Sequence, residues 1–159
     1  MNPPVSTKPG THFEDYPVGA VFAGGPITVS EQEILDFARR YDPQPMHVDK
    51  AAAERGAFGG LIASGWHTGA LMMQLLAEHF VPRPGNLASP GLDELRWLKP
   101  VRPDDRLSLR ATVLSARPSR SKPDQGIVTS LVELINQDGD IVLSLKPISL
   151  MRRRSAEPV

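Results

Sequence analysis

Between Tyr41 and Asp49 the chain reads Tyr-Asp-Pro-Gln-Pro-Met-His-Val-Asp, which sets a carboxylate, Asp42, and an imidazole, His47, at the two ends of a turn stiffened by Pro43 and Pro45. Both groups can move protons near neutrality when their surroundings tune them. A second stretch, Ala63-Ser-Gly-Trp-His-Thr-Gly-Ala-Leu-Met-Met73, places Gly65 at the start of an apolar helix. The free N–H groups of a first helical turn lie at the positive end of the helix dipole and can hold a developing negative charge. An acid, a base and an anion-holding amide suit proton transfer beside a carbonyl, so the two stretches are expected to form one active site. Taken alone, Asp42 before a proline also fits a helix-ending turn, and His47 a satisfied loop histidine.

The neighbouring elements must bring these groups together. Ser30-Glu-Gln-Glu33 matches a capping box, and Ile34, Leu35, Phe37, Ala38 and Tyr41 follow at helical spacing, which predicts a helix over about 31–41. Pro43 disfavours helical geometry at Asp42, and Pro45 is expected to prevent a restart, so the chain turns there. A short helix over 50–55 is expected, capped by Asp49, with Gly56 and Gly59-Gly60 marking its end. In the apolar helix, Trp66, Ala70, Met73, Ala77 and Phe80 share one face, while Leu71, Met72, Leu75 and Leu76 make the other sides apolar too, so the helix is expected to be enclosed. Ahead of the capping box, residues 13–22 and 26–29 suggest two short strands. After the long helix, the alternation of Leu107, Leu109, Ala111 and Val113, and two arms over 127–135 and 141–150 around Asp138-Gly139, predict three long antiparallel strands. Residues 1–11 read as a disordered lead-in, 12–153 as one domain and 154–159 as a solvated tail.

At 159 residues, with 40% hydrophobic and 23% charged, the chain is sized for one domain with a proper core. Eighteen acids balance eighteen bases, so no global field draws nucleic acid or an anionic membrane. The absence of cysteine excludes disulfides, thiolate metal sites and a cysteine nucleophile, and fits a reducing cytoplasm. The N-terminus lacks the apolar core of a signal peptide, and the run from Leu61 to Ala77 is too short and too interrupted for a membrane span. Asp42, His47, Asp49 and His67 offer donor types that suit divalent ions, but no ligand motif orders them, and no metal is expected.

The order of these elements, together with Asp42-Pro-Gln-Pro-Met-His47 and Phe58-Gly-Gly-Leu-Ile-Ala-Ser-Gly-Trp-His67, resembles the MaoC-like acyl dehydratases, which include the (R)-specific enoyl-CoA hydratases. The resemblance covers roughly Phe13 to Arg152. It implies an α+β hot-dog fold, a curved antiparallel sheet wrapped around one long helix, paired into a homodimer or a dimer of dimers. It places the catalytic acid/base pair on Asp42 and His47, and on Gly65 the amide that polarises a thioester carbonyl. Gln44, Ser64, Trp66, His67 and Thr68 are then expected around the substrate, although His67, on a mostly apolar helix, reads from its own surroundings as a packed, hydrogen-bonded residue. Gln44 stands where the family has asparagine and Ser64 where it has histidine. A serine that supports the aspartate falls on Ala70, with Thr68 or His67 nearest to replace its hydroxyl.

The implied activity is the hydration of a 2-enoyl-CoA, or the reverse dehydration, with coenzyme A as part of the substrate and no other cofactor. The basic segment from Arg117 to Pro123 is either a solvated hairpin loop or a contact for coenzyme A phosphates. A hot-dog thioesterase and a non-catalytic acyl-CoA binding protein are the alternatives. Against the thioesterase, such enzymes carry a carboxylate on the central helix, where this chain has only Glu78 near the far end.

Overall fold

The computed structural model describes residues 4–154. Its elements run, in chain order, β1 (Val5–Ser6), a 3-10 turn (Phe13–Asp15), β2 (Val21–Thr28), α1 (Glu31–Tyr41), α2 (Pro45–Val48), α3 (Lys50–Arg55), α4 (Gly65–His79), β3 (Asn86–Trp97), β4 (Arg106–Pro118), β5 (Gln125–Ile135) and β6 (Ile141–Arg152). The strands form one sheet in the order β1-β2-β4-β5-β6-β3. Among the described residues only β1 and β2 pair in parallel; every other pair is antiparallel. The sheet packs against α4, which is the hot-dog arrangement. Among the described residues no helix is long and apolar enough to cross a membrane.

Alternation along the strands builds the core. Leu107, Leu109, Ala111 and Val113 of β4 point inward with Val128, Val132 and Leu134 of β5 and Val142, Leu143 and Leu145 of β6, where they meet Leu71, Met72, Leu75 and Leu76 of α4. The hairpin between β5 and β6 turns through Gly139, whose φ of +81° is the left-handed geometry that the Asp-Gly step supplies. Asn136 Oδ1 accepts the N–H groups of Asp138 and Asp140, each at 3.0 Å.

Five expectations are corrected. Phe13–Asp15 is a 3-10 turn, and the two early strands are one, β2, with a bulge between Gly24 and Ile27 where Gly25 has a φ of +96°. Pro45 does not prevent a helical restart but begins one, because its missing N–H is an orphan at the first helical position anyway. A fourth long strand, β3, precedes the three expected; it lies at the sheet edge with nearly every residue exposed, so it has no alternation to read, and its Pro90 is tolerated there.

The helix α4 is covered on one side only: Trp66 is 62% exposed, Met73 is 45% exposed and Ala70 is exposed, because a single sheet can bend around only the face carrying Leu71, Leu75 and their neighbours. Finally, the chain ends are tied down. Within residues 4–11, β1 pairs with β2, the Thr7 carbonyl accepts from the His79 ring at 2.8 Å, and the Gly10 N–H donates to the Tyr16 hydroxyl, which itself donates to the Phe80 carbonyl. Arg154 pairs with Asp15 at 2.7 Å. The rest of the expected lead-in, 1–3, and of the expected tail, 155–159, lies outside the described residues.

Candidate active site

Local chemistry shapes each piece of the site before packing joins them. Ser30 Oγ accepts the Glu33 N–H at 3.1 Å and Glu33 reaches back to the Ser30 N–H at 2.9 Å, which starts α1, and Pro43 ends it at Asp42. One turn later, α2 presents His47 inward, 4% exposed. The segment before α4 pairs with that turn: the Ile62 N–H donates to the Met46 carbonyl at 3.2 Å, and the Ile62 carbonyl accepts from His47 Nδ1 at 2.8 Å. The Ala63 N–H donates to the Val101 carbonyl at 2.8 Å, anchoring the same segment on its other side. Ser64 then caps α4.

These contacts converge on a cavity of about 480 Å³. Asp42, Gln44, His47, Gly65, Trp66 and Thr68 line it, so the two stretches singled out by residue type do meet. Most of the remaining wall is apolar, with Met46, Phe58, Ile62, Trp97 and Val101 prominent. His47 Nε2 lies 3.5 Å from Asp42 Oδ2, longer than a good hydrogen bond, so both atoms are available to a third group. A carbonyl can only accept, so the Ile62 contact puts the proton on His47 Nδ1, and Nε2 of the neutral ring presents a lone pair to the cavity.

Asp42 is held as an acceptor. Ser64 Oγ donates to its Oδ2 at 2.6 Å and Gln44 Nε2 donates to its Oδ1 at 2.7 Å. The Ser64 bond, then the Gln44 bond, hold the carboxyl below the usual carboxylate range against the opposing effect of burial, with a smaller contribution from His47. The hydroxyl supporting the aspartate therefore comes from Ser64, not from position 70 or a neighbour on α4. Ala70 is exposed on the outer face, and Thr68 Oγ1 donates to the Ser64 carbonyl at 3.3 Å.

Gly65 is the first residue of α4, a helix with no acidic residue in its first turn to offset the dipole. Among the described residues nothing accepts the Gly65 N–H. Its neighbour is unexpected. The indole of Trp97 lies so close that a Cβ at position 65 would come within 2.5 Å of Cε2, so glycine is required by contact.

His67 is not part of the cavity wall. It turns under α1, stacks on Phe37 with ring centroids 4.9 Å apart, and leaves Nδ1 buried without a partner among the described residues. Burial pushes its pKa down, and the Glu33 carboxylate opposes that only in part. Ser64 is likewise out of the cavity, fully buried, and works through Asp42. Sequence reasoning missed Trp97, Phe58 and Met46 as wall residues. Trp97 sits in the edge strand that carried no pattern, Phe58 sits in a turn, and Met46 sits in the four-residue helix α2, which is too short for a period to mark it.

Residues 16–134 match the family model of the MaoC like domain. The chain belongs to the MaoC-like family. It is 36% identical over 125 residues to the protein YdeM of Bacillus subtilis, covering 79% of this chain and 87% of that one. It is also 31% identical over 158 residues to the mesaconyl-CoA hydratase of Cereibacter sphaeroides, covering 94% of this chain but 43% of that enzyme. Among solved structures, a MaoC-like dehydratase from Rhodospirillum rubrum superposes with a TM-score of 0.86 at 40% identity, covering 92% of this chain and 99% of that one.

Proposed function

We propose that this MaoC-like protein is a hydro-lyase that adds water to 2-enoyl-CoA thioesters to give (R)-3-hydroxyacyl-CoA, and reverses the reaction. The observation that carries the reading is the placement of one carboxylate acceptor, one imidazole with Nε2 turned to the cavity and one free helix-terminal N–H around a single, mostly apolar cavity. A water between Asp42 Oδ2 and His47 Nε2 can give one hydrogen to each acceptor. As its oxygen bonds to C3, His47 Nε2 takes a proton, the C2–C3 π electrons shift, and negative charge collects on the thioester oxygen. The Gly65 N–H, at the positive end of α4, holds that charge. The enolate then collapses, C2 takes the proton back from His47, and Asp42 steadies the transient imidazolium from 3.5 Å.

One group on one face gives and takes the proton, so addition is syn. No electrons are exchanged with an outside acceptor, and the reaction needs no redox cofactor. The resemblance of the Asp42–His47 turn to (R)-specific hydratases supports the stereochemistry, and the mesaconyl-CoA hydratase relative supports hydration chemistry on a coenzyme A thioester. An apolar acyl group fits the wall: the one cation lining the cavity among the described residues, Lys99, is engaged by Asp140 at 2.6 Å. Thioester hydrolysis lacks comparable support, since Glu78 is exposed near the last turn of α4, outside the cavity.

The chain is further proposed to work as a homodimer or a dimer of dimers. Trp66 and Met73 on α4, with Leu92 and Trp97 on the β3 edge, leave apolar surface and unpaired strand groups to cover. Sedimentation should give a dimer or tetramer and Met73→Glu a smaller species; a wild-type monomer would count against this.

The activity test gives purified protein crotonyl-CoA and longer enoyl-CoAs while following absorbance of the conjugated thioester and release of free thiol. Loss of conjugation without thiol is expected. Thiol release would overturn the hydratase reading in favour of hydrolysis, and binding without either change would favour a non-catalytic acyl-CoA binder.

A further inference from the structure

The chain has two tryptophans, Trp66 and Trp97, and both stand in the wall of the cavity that holds Asp42 and His47. They meet edge to face, with centroids 5.2 Å apart and planes at 82°. Trp97 closes β3, and its Nε1–H donates to the Gly65 carbonyl at 2.8 Å. The peptide joining Gly65 to Trp66 is held at its other end as well, because the Trp66 N–H donates to Ser64 Oγ at 3.3 Å. Ser64 Oγ in turn donates to Asp42 Oδ2 at 2.6 Å, and that oxygen faces His47 Nε2 at 3.5 Å.

A single chain of donors therefore runs from the indole, through one peptide and one hydroxyl, to the carboxylate oxygen nearest the imidazole. Every link points the same way. A carbonyl that accepts makes its own peptide N–H a better donor, and a hydroxyl that accepts becomes a better donor in turn, so polarisation accumulates along the chain. Gln44 holds the other carboxylate oxygen at 2.7 Å and lies outside this chain. The titratable group facing Asp42 is His47, on α2; Lys99, after β3, lines the same cavity but is paired with Asp140.

We propose that Trp97 is a positioning residue for the proton-transfer pair, acting through the Gly65–Trp66 peptide and Ser64 to keep Asp42 Oδ2 ionised and aimed at the site. The same bond holds the Gly65–Trp66 peptide, the one that follows the Gly65 N–H in the first turn of α4. An edge-strand residue with no titratable group of its own thus acts on the acceptor of the site. The kinetic part of this proposal rests on the hydratase reading above; the electrostatic part does not.

Trp97→Phe keeps an aromatic wall and removes the donor, and circular dichroism checks that the fold is kept. The midpoint of the Asp42 carboxyl titration, read from its carbon-13 resonance in ligand-free protein, should rise in W97F and rise further in S64A, with S64T restoring it. In W97F, kcat for crotonyl-CoA should fall about fivefold with KM changed less than twofold, the size expected for one net hydrogen bond acting at a distance. The acid limb of the kcat/KM profile should move in the same direction as the resonance. A midpoint in W97F equal to wild type, or a kcat equal to wild type, overturns the proposal. If wild-type protein hydrates no enoyl-CoA the hydratase reading fails, and the carboxyl titration still decides the role of Trp97.

Discussion

Two histidines, 20 residues apart in sequence, are both almost completely buried, His47 at 4% and His67 at 6% exposure, yet they sit in opposite environments. His47 gives Nδ1 to a carbonyl and turns Nε2 to a cavity beside a carboxylate. His67 stacks on Phe37, leaves Nδ1 unpartnered among the described residues and is pushed toward its neutral form by burial. Burial of a titratable ring therefore does not by itself mark a reactive group. What separates the two is whether the protein fixes one ring nitrogen and frees the other toward a space that a substrate can enter.

That contrast can be broken most directly at the bases. His47→Ala should lower kcat/KM for enoyl-CoA hydration by about 10²-fold or more, the usual contribution of a positioned general base, whereas His67→Phe should stay within about threefold of wild type. Comparable losses in both variants would erase the distinction. Asp42→Asn should cost a similar factor to His47→Ala with the fold intact, because an amide cannot act as the ionised acceptor that Ser64 and Gln44 maintain. Wild-type rates in both site variants would remove the pair from the mechanism.

A smaller effect is expected at Gly65. The Cβ of Gly65→Ala would meet the Trp97 indole at 2.5 Å and must displace it, tilting the first peptide of α4. Hydration should fall about tenfold, consistent with a shift of a fraction of an ångström at the reacting centre, while the melting temperature changes little. A rate equal to wild type would show that the amide is not aimed by this contact.

The smallest effect is thermodynamic and belongs to His67. Its folded pKa lies below its ordinary value of 6.5, so just below that pH the unfolded chain binds more protons than the folded one. Stability then rises with pH across this window and falls as the pH is lowered through 6.5 toward the folded value. Asp42 contributes the same sign in a lower window: its folded pKa is depressed below 3.8, so its contribution is present above that pH and is lost as the pH falls through the folded value. Urea midpoints measured between pH 7.5 and 5.5 should therefore drop for wild type and much less for His67→Phe. Parallel drops would assign the slope to other groups.

Much of the site was legible because its determinants are local. The Ser30–Glu33 capping box fixes the start of α1, Pro43 fixes its end at Asp42, and Ser64-Gly65 before an apolar run marks the start of α4. The long strands β4, β5 and β6 carried their alternation openly. The strand β3 did not, since an edge strand exposed on both faces has no alternation to carry. Pro45 was misread because the same ring that breaks a helix interior suits a helix start, and only the surrounding chain decides which applies. The support of Asp42 was sought one turn or more along α4, while the structure found it in the capping hydroxyl that α4 needed in any case.

By itself the sequence determined which residues could do the chemistry, an acid and a base on a short stiff turn and a glycine opening an apolar helix, together with the elements that carry them. These follow from proline, capping and periodicity, which act over a few residues. Tertiary structure alone decided that Ile62 fixes the His47 tautomer, that Ser64 rather than a residue along α4 holds Asp42, and that Trp97 lies on Gly65. Each of those contacts joins positions 15 to 32 residues apart in sequence. No local preference encodes such a pairing; it appears only when the sheet closes on the helix and brings the ends of β3 and α4 to one cavity.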